Sequence, residues 1–232
     1  MKAKISSKQE IAKGTLIVEF DLLGQELNFA AGQYFFISLP KPAHTDQKGS
    51  RHHFTIVNAP SQKGKIIMAT RLTDSAFKKS LNEMKTGDEV EIEGISGDFR
   101  LPKDESLPLV FIAGGIGITP FMSMMSYALE KDLDYKITLL YSNRDLESAA
   151  FYNQIRQIDL KSPKIEAVFT MTEDEEWQGE KSQINENFIR KYVNKFEDAI
   201  YMIASPPAMV EAMKEILLNL KIPNKNIITE NF

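Results

Sequence analysis

Three closely spaced glycines, Gly114, Gly115 and Gly117 in the run GGIGITP, are the residues of this chain best suited to holding an anion. They follow an apolar run, LVFIA, and precede Pro120 and a helix-like pattern that starts at Phe121. A turn in that position aims successive backbone N–H groups at the positive end of a helix dipole, where a pyrophosphate fits. The spacing is not the G-x-G-x-x-G of the standard dinucleotide fold, and a purely structural tight turn would look the same. Ser75 opens a short amphipathic segment, where early helical N–H groups lack internal partners; it reads equally as an anion contact or as a plain cap. His44, His52 and His53 have no carboxylates at metal-ligand spacing. The chain has no cysteine, which excludes disulfides, thiolate nucleophiles, zinc–thiolate sites and an iron–sulfur cluster held by this polypeptide.

The glycines lie inside residues 106–129, 24 residues without a charge, long enough to span a bilayer as a helix. The internal punctuation argues against that, because a helix through them would lose roughly 1 kcal/mol per glycine and about 3 for an interior proline. A buried strand over 109–113, a tight turn over 114–119 and a helix with Pro120 in its first turn satisfy the same residues. Further strands are expected at 136–141, 164–169, 199–203 and 226–229, separated by helical patterns. The last of these is marked by Met209, Met213, Ile216, Leu217 and Leu220, with Ser205 as cap and Pro206 behind it. Five strands with crossover helices make a parallel α/β sheet. The methionines in these helices are core packing.

The first hundred residues read differently. Short strands at 15–22, 34–39, 53–58, 65–71 and 89–95, set between Gly, Pro and Asn, suggest a small antiparallel barrel or sandwich with one amphipathic helix over 75–84. The charged segment LPKDESLP, 101–108, is the natural join. Over the 232 residues, 43% are hydrophobic and 26% charged, ordinary for a globular protein, and the net charge of −4 includes no basic stripe. Nucleic-acid binding is therefore not expected. No signal peptide is visible behind the first lysines, which makes an intracellular, cytoplasmic location the default.

The motifs FAAGQYFFISLP, RHHFTIVNAP, TDSAFKKSL, GDEVEIEGISGDF, AGGIGITPF, LLYSNRD, ASPPAMV and the terminal ENF occur in this order over nearly the whole chain. The series resembles the ferredoxin–NADP reductase superfamily. That resemblance implies an N-terminal antiparallel Greek-key β-barrel that binds flavin (residues 1–104), followed by a five-stranded parallel α/β nucleotide-binding domain (residues 105–232). It implies FAD, with NADPH or NADH, as cofactors.

The family's flavin signature is Arg, any residue, an aromatic, then Ser or Thr. Phe54 and Thr55 supply the last two, within Arg51, His52, His53, Phe54, Thr55, Ile56 and Val57. Thr55 is implied to bond flavin N5. His52 stands where the arginine belongs, and Arg51 reaches the phosphates only if a bulge intervenes. Ser75 and Ala76 match the family's FAD-pyrophosphate position, with Arg71 as added charge or as a solvated strand end. Gly114, Gly115, Gly117, Thr119 and Pro120 would cradle the NAD(P) pyrophosphate. Ser142 and Arg144 would meet the adenosine ribose, and the guanidinium leans slightly toward NADPH. Ala204 replaces a family cysteine beside the nicotinamide, with Pro206 following. Glu230 would orient the nicotinamide, and Phe232 would shield the flavin.

The activity so implied is hydride transfer from NAD(P)H to FAD. Electrons would then pass to a separate acceptor: ferredoxin, flavodoxin, an oxygenase component or a small molecule. A non-catalytic flavin- or nucleotide-binding regulatory subunit is the rival.

Overall fold

The computed structural model describes residues 1–231. Its first half is a six-stranded antiparallel sheet built from β1 (Lys2–Ala12), β2 (Thr15–Asp21), β3 (Tyr34–Ser38), β4 (Arg51–Thr55), β5 (Lys65–Arg71) and β6 (Glu89–Ser96). The order β4-β3-β6-β1-β2-β5 places sequence-distant strands side by side. The ends curl toward each other: beyond β4 the N–H of Val57 donates to Ile67 O on β5 at 2.8 Å, which makes the sheet a barrel. Phe20, Phe35, Ile37 and Ile92 fill the interior, and α1 (Ala76–Glu83) adds Phe77 and Leu81.

One barrel strand goes beyond the five expected from sequence. β1 buries Ala3 and Ile5, but its remaining residues are partly or fully exposed, so the outer half of the β1–β2 hairpin carries no apolar alternation for a pattern reading to find.

The second half is the expected parallel sheet, ordered β11-β10-β7-β8-β9. Its strands are β7 (Leu109–Gly114), β8 (Ile137–Asn143), β9 (Ile165–Met171), β10 (Ile200–Ser205) and β11 (Ile227–Asn231). The helices are α2 (Thr119–Glu130), α3 (Tyr152–Lys161), α4 (Glu186–Tyr192) and α5 (Pro207–Asn219). Every residue of β7 is buried. Val110 and Ile112 face the cluster under α4 and α5, while Leu109, Phe111 and Ala113 face the one under α2 and α3, so coverage of both faces explains the unbroken apolar run. No helix among the described residues is long and apolar enough to cross a membrane.

Ser205 does not cap α5 as expected. It is the last residue of β10, fully buried and paired with Asn231 of β11, and Pro206 takes the cap position with φ −56°. The parallel ladder claims the serine backbone before the helix can. The expected turn at 114–119 is tighter than drawn: Gly115–Ile118 form one turn of 3-10 helix that runs directly into α2.

Candidate functional site

Ligands of open α/β sheets bind beyond the carboxyl ends of the strands, where the strand order reverses. Here that point is β7, with β8 on one side and β10 on the other. A cleft of about 740 Å³ opens there, walled by the Gly114–Ile116 turn, by Ser142, Asn143 and Arg144 at the end of β8, and by Pro206 and Met209 at the start of α5.

The three glycines have separate physical reasons. A Cβ on Gly117 would lie 2.1 Å from the carbonyl oxygen of Ala204, so this glycine lets the turn press against β10. A Cβ on Gly114 would meet Met209 Sδ at 2.7 Å. Gly115, at φ +54°, has only a guanidinium nitrogen of Arg71 within 4 Å and presents bare backbone to the cleft. The buried Tyr141 hydroxyl donates to Gly115 O at 3.0 Å and steadies the turn; burial pushes its pKa up.

Sequence reasoning missed Asn143. It is buried at the cleft with its amide facing the Tyr141 hydroxyl, and its side-chain oxygen has no hydrogen-bond partner among the described residues. Asp145, next to Arg144, turns its carboxylate to the N–H of Ser148 at 2.7 Å and is held below the usual range chiefly by that residue. Arg144 makes no ion pair among the described residues, while Glu173 adds an acid to the same wall.

Arg71 is a correction. Instead of standing by the flavin phosphates, it reaches out of the barrel to this cleft, donating to Lys13 O at 3.2 Å and Ser148 O at 2.9 Å. Its carbonyl partners come from both halves of the molecule, so it is anchored across the seam.

A second cavity, about 430 Å³, lies between the barrel and the parallel sheet. Strand β4 supplies His52, His53, Phe54 and Thr55; Tyr34, Lys78, Thr119 and Glu230 complete most of its wall. β4 pairs with β3 without a bulge over all five residues, from Tyr34↔Thr55 to Ser38↔Arg51. Side chains therefore alternate strictly. His52 and Phe54 lean on Phe77 of α1, with ring centroids 4.4 and 5.5 Å away.

Arg51 shares the face of His53 but is drawn aside. Its Nε donates to Glu93 at 2.8 Å and its guanidinium lies 3.9 Å over the Phe36 ring. It does not reach the cavity, and its expected cofactor contact is corrected accordingly. Ile56 is barrel core and Val57 seam core, so neither side chain lines the cavity.

Ser75 holds the cap position of α1 without a side-chain cap bond. The neighbouring N–H of Ala76 donates to Asp46 Oδ2 at 3.2 Å, so a carboxylate from the loop after β3 occupies a donor assigned from sequence to a phosphate.

Glu230 lies on β11 opposite Ala204, partly buried in the cavity wall, with Oε2 unpaired among the described residues. Burial pushes its pKa up to about 7. Ala204 is fully buried with its carbonyl against Gly117. Thr119 Oγ1 donates to Ile116 O at 3.1 Å within the turn, and Pro120 is buried. Phe232 lies outside the described residues.

Ile116, at the centre of the glycine turn, borders both cavities. The polar groups left over fit a dinucleotide and a flavin: bare N–H-bearing backbone at Gly115 and the unpaired Asn143 oxygen in one, a carboxyl, an ammonium and a threonine hydroxyl in the other. Residues 2–101 match the family model described as an oxidoreductase FAD-binding domain, and residues 111–215 the one described as an oxidoreductase NAD-binding domain.

The reductase component of phenol 2-monooxygenase from Pseudomonas sp. (strain CF600) is 27% identical over 217 residues, 90% of this chain and 59% of that protein. The matched region spans between 29% and 64% of the length of the curated relatives it matches. Among solved structures, the FAD/NAD-binding domain of nitric oxide dioxygenase from Vibrio cholerae superposes with a TM-score of 0.88 at 18% identity, covering 100% of this chain and 98% of that one. A ferredoxin NADP+ reductase from Neisseria gonorrhoeae with bound FAD and NADP gives 0.82 at 19%, covering 100% and 98%.

Proposed function

Because the chain belongs to the ferredoxin–NADP reductase superfamily of FAD- and NAD-binding oxidoreductases, we propose that it takes hydride from NADPH or NADH onto FAD and hands the electrons to a separate acceptor. When bound, the flavin supplies the hydride-accepting and electron-relaying chemistry, and the protein supplies position and exclusion of water. In this reading residues 1–104 hold the flavin and residues 105–232 the nucleotide.

The observation that carries it is the meeting of two ligand-sized cavities at one residue, Ile116. Thr55, nine-tenths buried at the floor of the flavin cavity, offers a hydroxyl to the ring edge. Glu230, its carboxyl pushed up to about 7 by burial, offers a hydrogen-bond donor to the nicotinamide carboxamide in its protonated form. Ser142, Asn143 and Arg144 face the adenosine end, and with Asp145 committed to Ser148, Arg144 favours a 2′-phosphate and hence NADPH. Phe232 is assigned the cover of the flavin ring by the family pattern alone.

The acceptor is a protein such as ferredoxin, flavodoxin or an oxygenase component, or a small molecule; kinship with an oxygenase reductase component supports a protein. A cytoplasmic location goes with this reading, since reduced pyridine nucleotides are regenerated there.

Anaerobic addition of NADPH, then NADH, to the FAD-loaded protein tests it. Prompt bleaching of the flavin absorbance is expected, faster with NADPH. A flavin that stays oxidised with both would leave the regulatory binding module in its place.

A further inference from the structure

Lys78 breaks every local rule for placing a lysine. It is the third residue of α1, in the first turn, where the helix dipole disfavours a cation. It is partly buried in the wall of the flavin cavity, and burial lowers its pKa with no neighbouring charge to offset the effect. No carboxylate or carbonyl takes a hydrogen bond from its ammonium among the described residues, whereas its exposed neighbour Lys79 reaches Asp74 at 3.2 Å. A cation kept against dipole, desolvation and want of a partner is the mark of a group whose counter-ion is a ligand.

The cavity also lacks a cation where the flavin signature would place one. Arg51 shares the face of His53 on β4, but its guanidinium is held on Glu93 and Phe36 and stays out of the cavity wall. His52 takes its place, packed at a tilt on Phe77 one residue before Lys78. The ring end of the cavity is fixed at Thr55, Thr119 and Glu230, so the end against α1 is left for the phosphates.

We propose that Lys78 is the phosphate-binding cation of the flavin site, working beside His52 in place of the arginine that Glu93 and Phe36 hold away. The assignment rests on the flavin-binding reading above.

The test is titration of the apoprotein with FAD, FMN and riboflavin, followed by flavin fluorescence. Lys78→Gln should weaken FAD and FMN roughly tenfold to a hundredfold, as expected for loss of a charge-assisted hydrogen bond, and leave riboflavin unchanged. Lys78→Arg should retain most of the affinity, and Arg51→Gln should behave as wild type with all three. Lys78→Gln should also raise the apoprotein melting temperature while shrinking the thermal shift on adding FAD, a pairing that a purely structural lysine would not give.

Undiminished FAD binding by Lys78→Gln overturns the proposal. So does an equal loss with riboflavin, which would place the ammonium at the ring, or a larger loss in Arg51→Gln. If wild type binds none of the three flavins, it is the flavin-binding reading that fails.

Discussion

Glu230 is the residue whose environment departs most from what its place in the sequence announces. The terminal acid–any–aromatic pattern marks it, but only the pairing of β11 beside β10 shows that it is drawn into a cavity wall with Oε2 unpaired. Its pKa rises from 4.5 to about 7 by desolvation. Between those values the native state keeps a proton that the unfolded chain has released. Stability therefore falls as pH rises through that window and levels off above it. The apoprotein Glu230→Gln should melt as wild type does near pH 4.5 and above it at pH 8; melts that run parallel across the range would show that the carboxyl is not buried as described. His52 and Arg51 teach a related lesson. The arginine's misfit was legible as a register problem, but its outcome was not, because only the folded chain shows Arg51 held on Glu93 and Phe36.

At the scale of elements, the strand–turn–helix of residues 109–130 was legible because glycine and proline punctuate an otherwise continuous apolar run. The purpose of each glycine was not, since it depends on what lies across the turn. Gly117 faces the Ala204 carbonyl of β10, and Gly115 faces the open cleft. Gly117→Ala should therefore overpack the β7–β10 junction and cost about 1–3 kcal/mol. Gly115→Ala should cost about 1–2 kcal/mol for its left-handed backbone, with the added methyl projecting into the nucleotide cleft. Thermal melts and nucleotide titrations separate the two: Gly117→Ala should show its main effect in stability and Gly115→Ala in affinity. Equal behaviour of the pair would mean that the turn is not pressed on β10. β1 and the docked loop carrying Asp46 were illegible for a common reason. Both are polar segments held at long range, β1 by its backbone ladder and the loop by side-chain-to-backbone bonds, and neither carries a periodic apolar face.

For the whole molecule, the division into a barrel and a parallel sheet suggests two units that could melt apart, yet their cores are joined. Ala31, Val57, Ala69 and Phe99 from the barrel half belong to the same buried cluster as Phe121, Met122, Met124 and Met125 of α2. Phe99 meets Phe121 edge-on at 5.7 Å, and Gly32 sits so tightly that a Cβ would lie 2.3 Å from Met124 Cε. The buried Ser123 hydroxyl donates to Asn58 O at 2.8 Å, and Lys13 N donates to Glu147 O at 2.8 Å across the same seam. Separating the halves would expose this apolar surface at roughly 25 cal/mol per Å² and strand the Ser123–Asn58 pair. The apoprotein should therefore unfold in one calorimetric transition whose van't Hoff and calorimetric enthalpies agree. Two resolved transitions, or a van't Hoff value well below the calorimetric one, would show the seam to be weaker than its packing. The point bears on the proposed function, because two rings held one in each half would meet reproducibly at Ile116 only if that seam holds without them.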